Sequence, residues 1–173
     1  MLRLLDPERD GPALHAIFGD EESCIYLGDT ATKSVAETVS LLKKWQAGTE
    51  ETTWVVVESE DGPALGRVTL IPRERQIWEL GIMLAPAAQG RGLGSKAMII
   101  LIEDAFDNRD ARRVFADVDE DNTPSLNLFL RLGFQREGLL RGNWQTHIGL
   151  RHSVILGLLR DDPRPWIQDR HIK

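Results

Sequence analysis

Between Gln89 and Ala97 the chain reads QGRGLGSKA, three glycines alternating with larger residues just ahead of an apolar run. In a strand–loop–helix setting these backbone amides stand at a helix N-terminus, where four donors lack partners and the macrodipole favours an anion. Glycines also let the backbone approach such a ligand with no Cβ in the way. Two readings follow from the letters alone: a tight turn opening a buried helix, or a bare-amide cradle for an anionic group. Neither common phosphate fingerprint is met. GxGxxG needs glycine where Ser95 stands, and GxxxxGK needs lysine directly after its last glycine, where Ser95 intervenes before Lys96. If the stretch does chemistry, it is capture of an anion by peptide nitrogens, with Arg91 and Lys96 able to add charge.

Composition leaves room for such a site and little else. The 173 residues suffice for one well-cored domain, and 42% apolar with 28% charged content is ordinary for a globular protein. A net charge of −6 argues against a broad nucleic-acid surface, so an anionic ligand has to be captured locally. No apolar run reaches membrane-spanning length and no signal segment opens the chain, so no membrane partner is expected. The single cysteine, Cys24, excludes an internal disulfide and fits a cytoplasmic location, with a secreted protein free of disulfides as the alternative. Four scattered histidines offer no metal-ligand spacing, so no metal is expected.

The elements that position the loop follow from periodicity. A short strand and a turn open the chain, and PALHAIFGD is a short helix. Residues 21–32 form a loop. Val35, Val39, Leu42 and Trp45 recur at helical spacing, with Gly48 as a stop. TWVVVESE and ALGRVTLI flank an Asp61-Gly62-Pro63 turn as antiparallel strands, and QIWELGIML is the third strand of that meander. The glycine stretch then opens a buried helix running to Phe106. RRVFADVD alternates as a strand, and Thr123-Pro124 starts a helix that stops at Gly133 in a left-handed cap, with Phe134 folding back. Two last strands, at 135–140 and 150–158, surround the loop RGNWQTHIGL. The expectation is one α/β (α+β) domain over residues 1–160, its central mixed, mostly antiparallel sheet of about six or seven strands flanked by about four helices. A polar tail over 161–173 is expected to pack weakly or not at all.

One pattern does fit the loop: Q/R-x-x-G-x-G/A, met by Gln89, Gly92 and Gly94 between a strand and a helix. On these residues the chain resembles the GNAT N-acetyltransferase superfamily, which binds the acetyl-CoA pyrophosphate on this loop. It resembles most the branch of ribosomal-protein serine and alanine N-terminal acetyltransferases. That branch shows a glutamate and glycine on the preceding strand, here Glu79-Leu80-Gly81, and a D/V-x-x-N-x-x-S segment, here Asp119 to Ser125. It also shows L-G-F-x-x-E-G, here Leu132 to Gly138. The likeness spans roughly Leu2 to Leu159 and is strongest from Trp78 to Arg141.

The resemblance implies a GNAT-like fold and a division of labour. Gln89, Gly90, Arg91, Gly92, Leu93, Gly94 and Ser95 would hold the diphosphate of acetyl-CoA. The strand before the loop splays from the next one, so Ile82, Met83 and Leu84 would offer backbone groups to the pantetheine arm. Asn122 would contact the cosubstrate. Glu79 would serve as general base, because a free amine of pKa about 7.7–10.4 must lose a proton before it attacks. Many superfamily members protonate the leaving thiolate with a tyrosine. Phe129 stands at that place, and the resemblance shifts the role to Ser125 or to water.

The resemblance implies that the acceptor is a primary amine, either a protein N-terminus or a small molecule, in a region that here holds Tyr26, Trp45 and Trp144. The branch often places an aspartate in the last strand, where this chain has Arg151-His152-Ser153-Val154. Two function classes stand: an acetyl-CoA-dependent N-acetyltransferase, and a silent acyl-CoA-binding module on the same fold. A homodimer is compatible with the resemblance.

Overall fold

Seven strands and five α-helices follow one another in the computed structural model, which describes residues 1–48 and 50–168. The order is β1 (Leu2–Leu4), α1 (Pro7–Phe18), α2 (Val35–Gly48), β2 (Thr52–Val56), β3 (Gly66–Pro72) and β4 (Ile77–Leu84). Then come α3 (Leu93–Glu103), β5 (Arg113–Asp119), α4 (Thr123–Arg131), β6 (Gln135–Thr146), β7 (Gly149–Leu159) and the short α5 (Pro165–Gln168). Among the described residues the strands form one sheet in the order β1-β2-β3-β4-β5-β7-β6, in which β4 and β5 are the one parallel pair. This is the mixed, mostly antiparallel sheet that the alternating segments predict.

Strand alternation divides the core between the two faces. Val68, Leu70, Leu80, Val114, Ala116, Val118, Val154, Leu156 and Leu158 point to the face covered by α3 and α4. Val55, Val57 and Met83 point to the opposite face, against Leu14, Ile17, Phe18 and Leu42 of α1 and α2. In the apolar MIILI run of α3, Met98, Leu101 and Ile102 are buried against the centre of the sheet, while Ile99 is half-buried and Ile100 is exposed. Gly133 has φ +86°, and Phe134 N donates back to Phe129 O at 3.1 Å, the left-handed stop expected of L-G-F. In the same run Glu137 reaches across Gly157 to pair with Arg113, where any Cβ on residue 157 would collide with both side chains.

Three sequence expectations need correction. Helix α1 begins at Pro7 and runs through Pro12, earlier than the letters suggest. Asp6 caps it by accepting from Glu8 N and Arg9 N, and buried Asp10 is held by two hydrogen bonds from Arg3. Strand β6 does not end at Leu140. It continues to Thr146 through two irregularities, so the expected ten-residue loop shrinks to the turn between β6 and β7. Gly142, at φ +62°, absorbs one irregularity, and its N–H donates to His152 Nδ1 at 2.8 Å. The tail is also not loose as far as Gln168: Trp166 packs against the core and donates from Nε1 to Glu103 Oε1 at 3.1 Å. Residues 169–173 of that tail lie outside the described residues.

Cys24 is a buried residue of the α1–α2 loop, its Sγ within 3.5 Å of Ile17 O and 3.6 Å of Phe18 O. Burial, helped by the nearby Asp20, pushes its thiol pKa up. The thiolate is the reactive form, so alkylation of native protein by iodoacetamide at neutral pH should run at least about tenfold slower than in urea. Equal rates would show that this loop opens freely. The sign for stability follows: the contribution of the neutral buried thiol is complete below the unfolded cysteine pKa and is lost as pH rises through the higher folded value.

Candidate active site

The site begins where β4 and β5 part. Their pairing stops at Glu79↔Phe115, while β4 runs on to Leu84 beside β3, and β5 stays with β7 as far as Asp119↔Ser153. Hydrogen-bond alternation says which peptide groups are released. Arg73 N donates to Ile77 O across the β3–β4 register, so Glu79, Gly81 and Met83 turn their backbone groups toward β3. Leu80, Ile82 and Leu84 face the gap. Met83, expected with its neighbours on this edge, therefore belongs to the other side. The Leu84 carbonyl accepts from Gln89 Nε2 at 3.2 Å, which ties the start of the glycine loop to the end of the strand.

The three glycines of the loop do different jobs. Gly90 and Gly92 sit at φ +72° and +73°, and a Cβ on either would meet nothing within 4 Å. They are required by backbone conformation, and the space above them is open. Gly92 is the N-cap of α3 and offers no side chain to its first-turn amides. Gly94 is glycine for packing: a Cβ there would lie 3.3 Å from Leu84 Cδ1 and 3.4 Å from Ile82 Cδ1. Uncapped amides below open space suit a diphosphate, so the loop fits the anionic end of acetyl-CoA. Arg91 is exposed and paired with Glu58, a contact that a phosphate would compete for. Lys96 is exposed, and the half-buried Leu93 and Ser95 occupy the first turn of α3.

On the α1–α2 face the gap between β4 and β5 opens into a cleft of about 170 Å³. Tyr26, Glu79, Asp117, Asp119, Trp144 and Arg151 are among its walls. Glu79 is 18% exposed and accepts from Arg73 Nε at 2.9 Å and NH2 at 2.5 Å. Asp119 accepts from Arg151 Nε and NH2 at 2.8 and 2.7 Å. The Arg151 guanidinium holds the Asp119 carboxyl below the usual carboxylate range, outweighing the effect of burial. The arginine found where the branch often has aspartate thus neutralises an acid of the neighbouring strand.

Asp117 is the residue that sequence reasoning missed. Its Oδ2 accepts from Asn143 Nδ2 at 3.0 Å and Trp144 Nε1 at 3.2 Å, while Oδ1 is buried with no partner. A signal was available. Val114, Ala116 and Val118 alternate inward, so Asp117 and Asp119 must share the other face, which no helix of α3 or α4 covers.

Of the residues expected at the acceptor, Tyr26 and Trp144 line the cleft, and Tyr26 Oη donates to Asp121 O at 3.1 Å. Trp45 does not. It stacks edge-on with Phe18 at 5.5 Å in a neighbouring cavity. Asn122 caps α4, its Oδ1 accepting from Ser125 N at 3.2 Å, and Ser125 is half-buried in the first turn. Phe129 is 1% exposed, in edge contact with Phe134, so the place of the superfamily tyrosine is filled by core packing. Among the described residues no group of three or more His, Cys, Asp or Glu is placed to hold a metal, and no helix is long and apolar enough to cross a membrane.

Comparison with known proteins agrees with this fold. An N-acetyltransferase 9-like protein of Caenorhabditis briggsae is 31% identical over 130 residues, covering 68% of this chain and 66% of the relative's length. A crystal structure of an acetyltransferase from T. thermophilus superposes with a TM-score of 0.84 at 26% identity, covering 98% of this chain and 89% of that one. Spermidine N-acetyltransferase from Vibrio cholerae, solved with CoA and spermine, shares the fold with a TM-score of 0.79 at 21% identity, covering 94% of this chain and 96% of that one. The acetyltransferase (GNAT) domain family matches residues 1–135, which take in the glycine loop, the parted strands and the cleft acids. On that match the chain belongs to the GNAT acetyltransferase family, the enzymes that take their acetyl group from acetyl-CoA.

Proposed function

We propose that this protein acetylates a primary amine by direct attack within a ternary complex. The amine nitrogen forms a bond to the thioester carbonyl carbon and the C–S bond breaks with its electron pair leaving as CoA thiolate. The amine's proton passes to a protein carboxylate, and the thiolate takes a proton from Ser125 or water. One observation carries the reading: Glu79 is the last residue of β4 paired with β5, so a carboxylate faces the cleft at the point where the edge left open by β5 begins. The N–H groups over Gly90–Ser95 would hold the diphosphate, and the Leu80, Ile82 and Leu84 edge would take the pantetheine amides as an added strand. Asn122 spends its oxygen on the helix cap and keeps its amide N–H groups for the cosubstrate.

Glu79 acts as general base in this reading, after the amine displaces Arg73. That guanidinium is 50% exposed, so the pair is screened and costs little to open. A second reading rests on Asp117, whose buried Oδ1 has no donor and suits an incoming ammonium. Asp117 then positions the amine or takes its proton directly. Tyr26 and Trp144 would flank the acceptor, which is a protein N-terminus, as in the ribosomal-protein branch, or a small-molecule amine. A homodimer would find an open hydrogen-bonding edge on β6, the last strand of the sheet.

The test combines binding and turnover. CoA should raise the unfolding temperature, as a ligand of the native state must, while ATP and NAD should not. Acetyl-CoA should release thiol only when an amine is supplied. Asp117→Asn should raise the amine KM by about tenfold, the effect of weakening one charge-assisted hydrogen bond, and leave protection by CoA in place. Absence of CoA protection, or of thiol release across alkylamines and peptide N-termini, would refute the proposal.

A further inference from the structure

Arg67 is a half-buried cation with one nitrogen, NH1, fully enclosed. It lies in β3 opposite Met83, on the α1–α2 face, with its guanidinium 4.3 Å above the Trp45 ring and 5.6 Å from Phe18. Its NH1 is buried and has no hydrogen-bond partner. Burial lowers its pKa to about 10 against a partial offset from Glu51, so it remains charged at neutral pH. An unsatisfied charged donor is costly to bury, and native structures seldom keep one without a function for it.

The guanidinium borders a cavity of about 80 Å³ whose walls include Phe18, Cys24, Trp45 and the loop residues Leu27 and Gly28. Leu27 and Gly28 also wall the catalytic cleft, so the two spaces meet at that loop. Arg67 and Glu79 share a sheet face, and the register sets them four residues apart along the strands, about 13 Å at 3.3 Å per residue. Between them stand Thr69 and Gly81, and any Cβ on Gly81 would lie 2.5 Å from Thr69 Oγ1. The volume holds a carboxylate and a methylene or two, given about 30 Å³ per water. Exposed Asp29 at the same cavity is the protein's own rival for the vacant donor.

We infer that the acceptor is an amine carrying a carboxylate at its far end, with Arg67 binding that carboxylate from the small cavity while the amine lies at Glu79 and Asp117. This rests on the amine-acetyltransferase reading and deepens it, by setting aside simple polyamines as preferred substrates. Trp45, expected at the acceptor and absent from the cleft, then serves it indirectly by holding the guanidinium flat.

The experiment compares a series of ω-amino acids with monoalkylamines and α,ω-diamines of matched chain length. At the best length the ω-amino acid should show a kcat/KM at least about tenfold above both, the effect of one charge-assisted hydrogen bond. Arg67→Met, which keeps an unbranched side chain over Trp45, should abolish that preference. Equal or better use of diamines by the native protein, or a preference that survives in Arg67→Met, overturns the assignment. A second measurement does not depend on turnover. Alkanoates of the same lengths, which lack the amine, should stabilise the native protein against heat and not Arg67→Met. Alkanoate protection without acetyl transfer to any amine would sink the acetyltransferase reading and keep the carboxylate site. Transfer without alkanoate protection or carboxylate preference would do the reverse.

Discussion

Replacing Glu79 by glutamine is expected to lower kcat by on the order of 10²–10⁴, the usual worth of a positioned general base. Protection of the fold by CoA should be retained. The substitution keeps the side chain's size and its place at the end of the β4–β5 pairing. It removes the negative charge that Arg73 now binds and that an amine proton would need. Loss of a half-exposed ion pair alone costs little stability, so the variant should stay folded. A parallel Asp117→Asn variant distinguishes the two carboxylates. If Glu79 is the base, Asp117→Asn raises KM and Glu79→Gln lowers kcat. If the large fall in kcat appears only in Asp117→Asn, the base is Asp117 and Glu79 is reduced to a partner of Arg73. Unchanged turnover in both variants removes carboxylate base catalysis from the cleft.

The second large effect should come from the loop. Gly92→Val places a β-branched residue at φ +73°, where an L-residue costs about 1–2 kcal/mol even before branching is counted. The loop can relieve that strain by turning its amides away from the diphosphate position, so affinity for CoA should fall about tenfold or more. The unliganded protein should lose a few degrees of thermal stability. The increment in unfolding temperature given by CoA should shrink well beyond that loss. Gly94→Ala provides the contrast, because its Cβ would press on Leu84, Ile82 and Leu128 rather than on a ligand. It should disturb packing between α3 and β4 first. An undiminished CoA increment in Gly92→Val would remove the loop from the binding site.

Much of this was legible because it is local. The alternation of RVFADVD, the helical spacing of Val35 to Trp45 and the L-G-F stop at Gly133 each reflect steric rules acting within a few residues, and the structure follows them. The glycine loop belongs to the same class, since positive φ at Gly90 and Gly92 is a backbone demand that only the residue type reveals. Where local rules competed, the letters misled. Pro12 and the Gly142-Asn143 pair look like breaks, yet a buried Arg3–Asp10 pair and bonds from Asn143 and Trp144 to Asp117 carry α1 and β6 through them. Those stabilising partners lie on other elements.

Tertiary structure alone decided which polar groups are spent and which are left over. No spacing in the chain reports that Arg151 neutralises Asp119, that Arg73 holds Glu79, or that Asp117 Oδ1 and Arg67 NH1 have no mate. A side chain's period assigns it to a face of the sheet, and in that sense the sequence by itself determined the elements, the glycine cradle and the carboxylate that ends the β4–β5 pairing. Satisfaction of a charge depends on what chain folding brings within about 3 Å, and most of those partners are far away in sequence. The residues on which the acceptor depends could be recognised only after the sheet had closed around them.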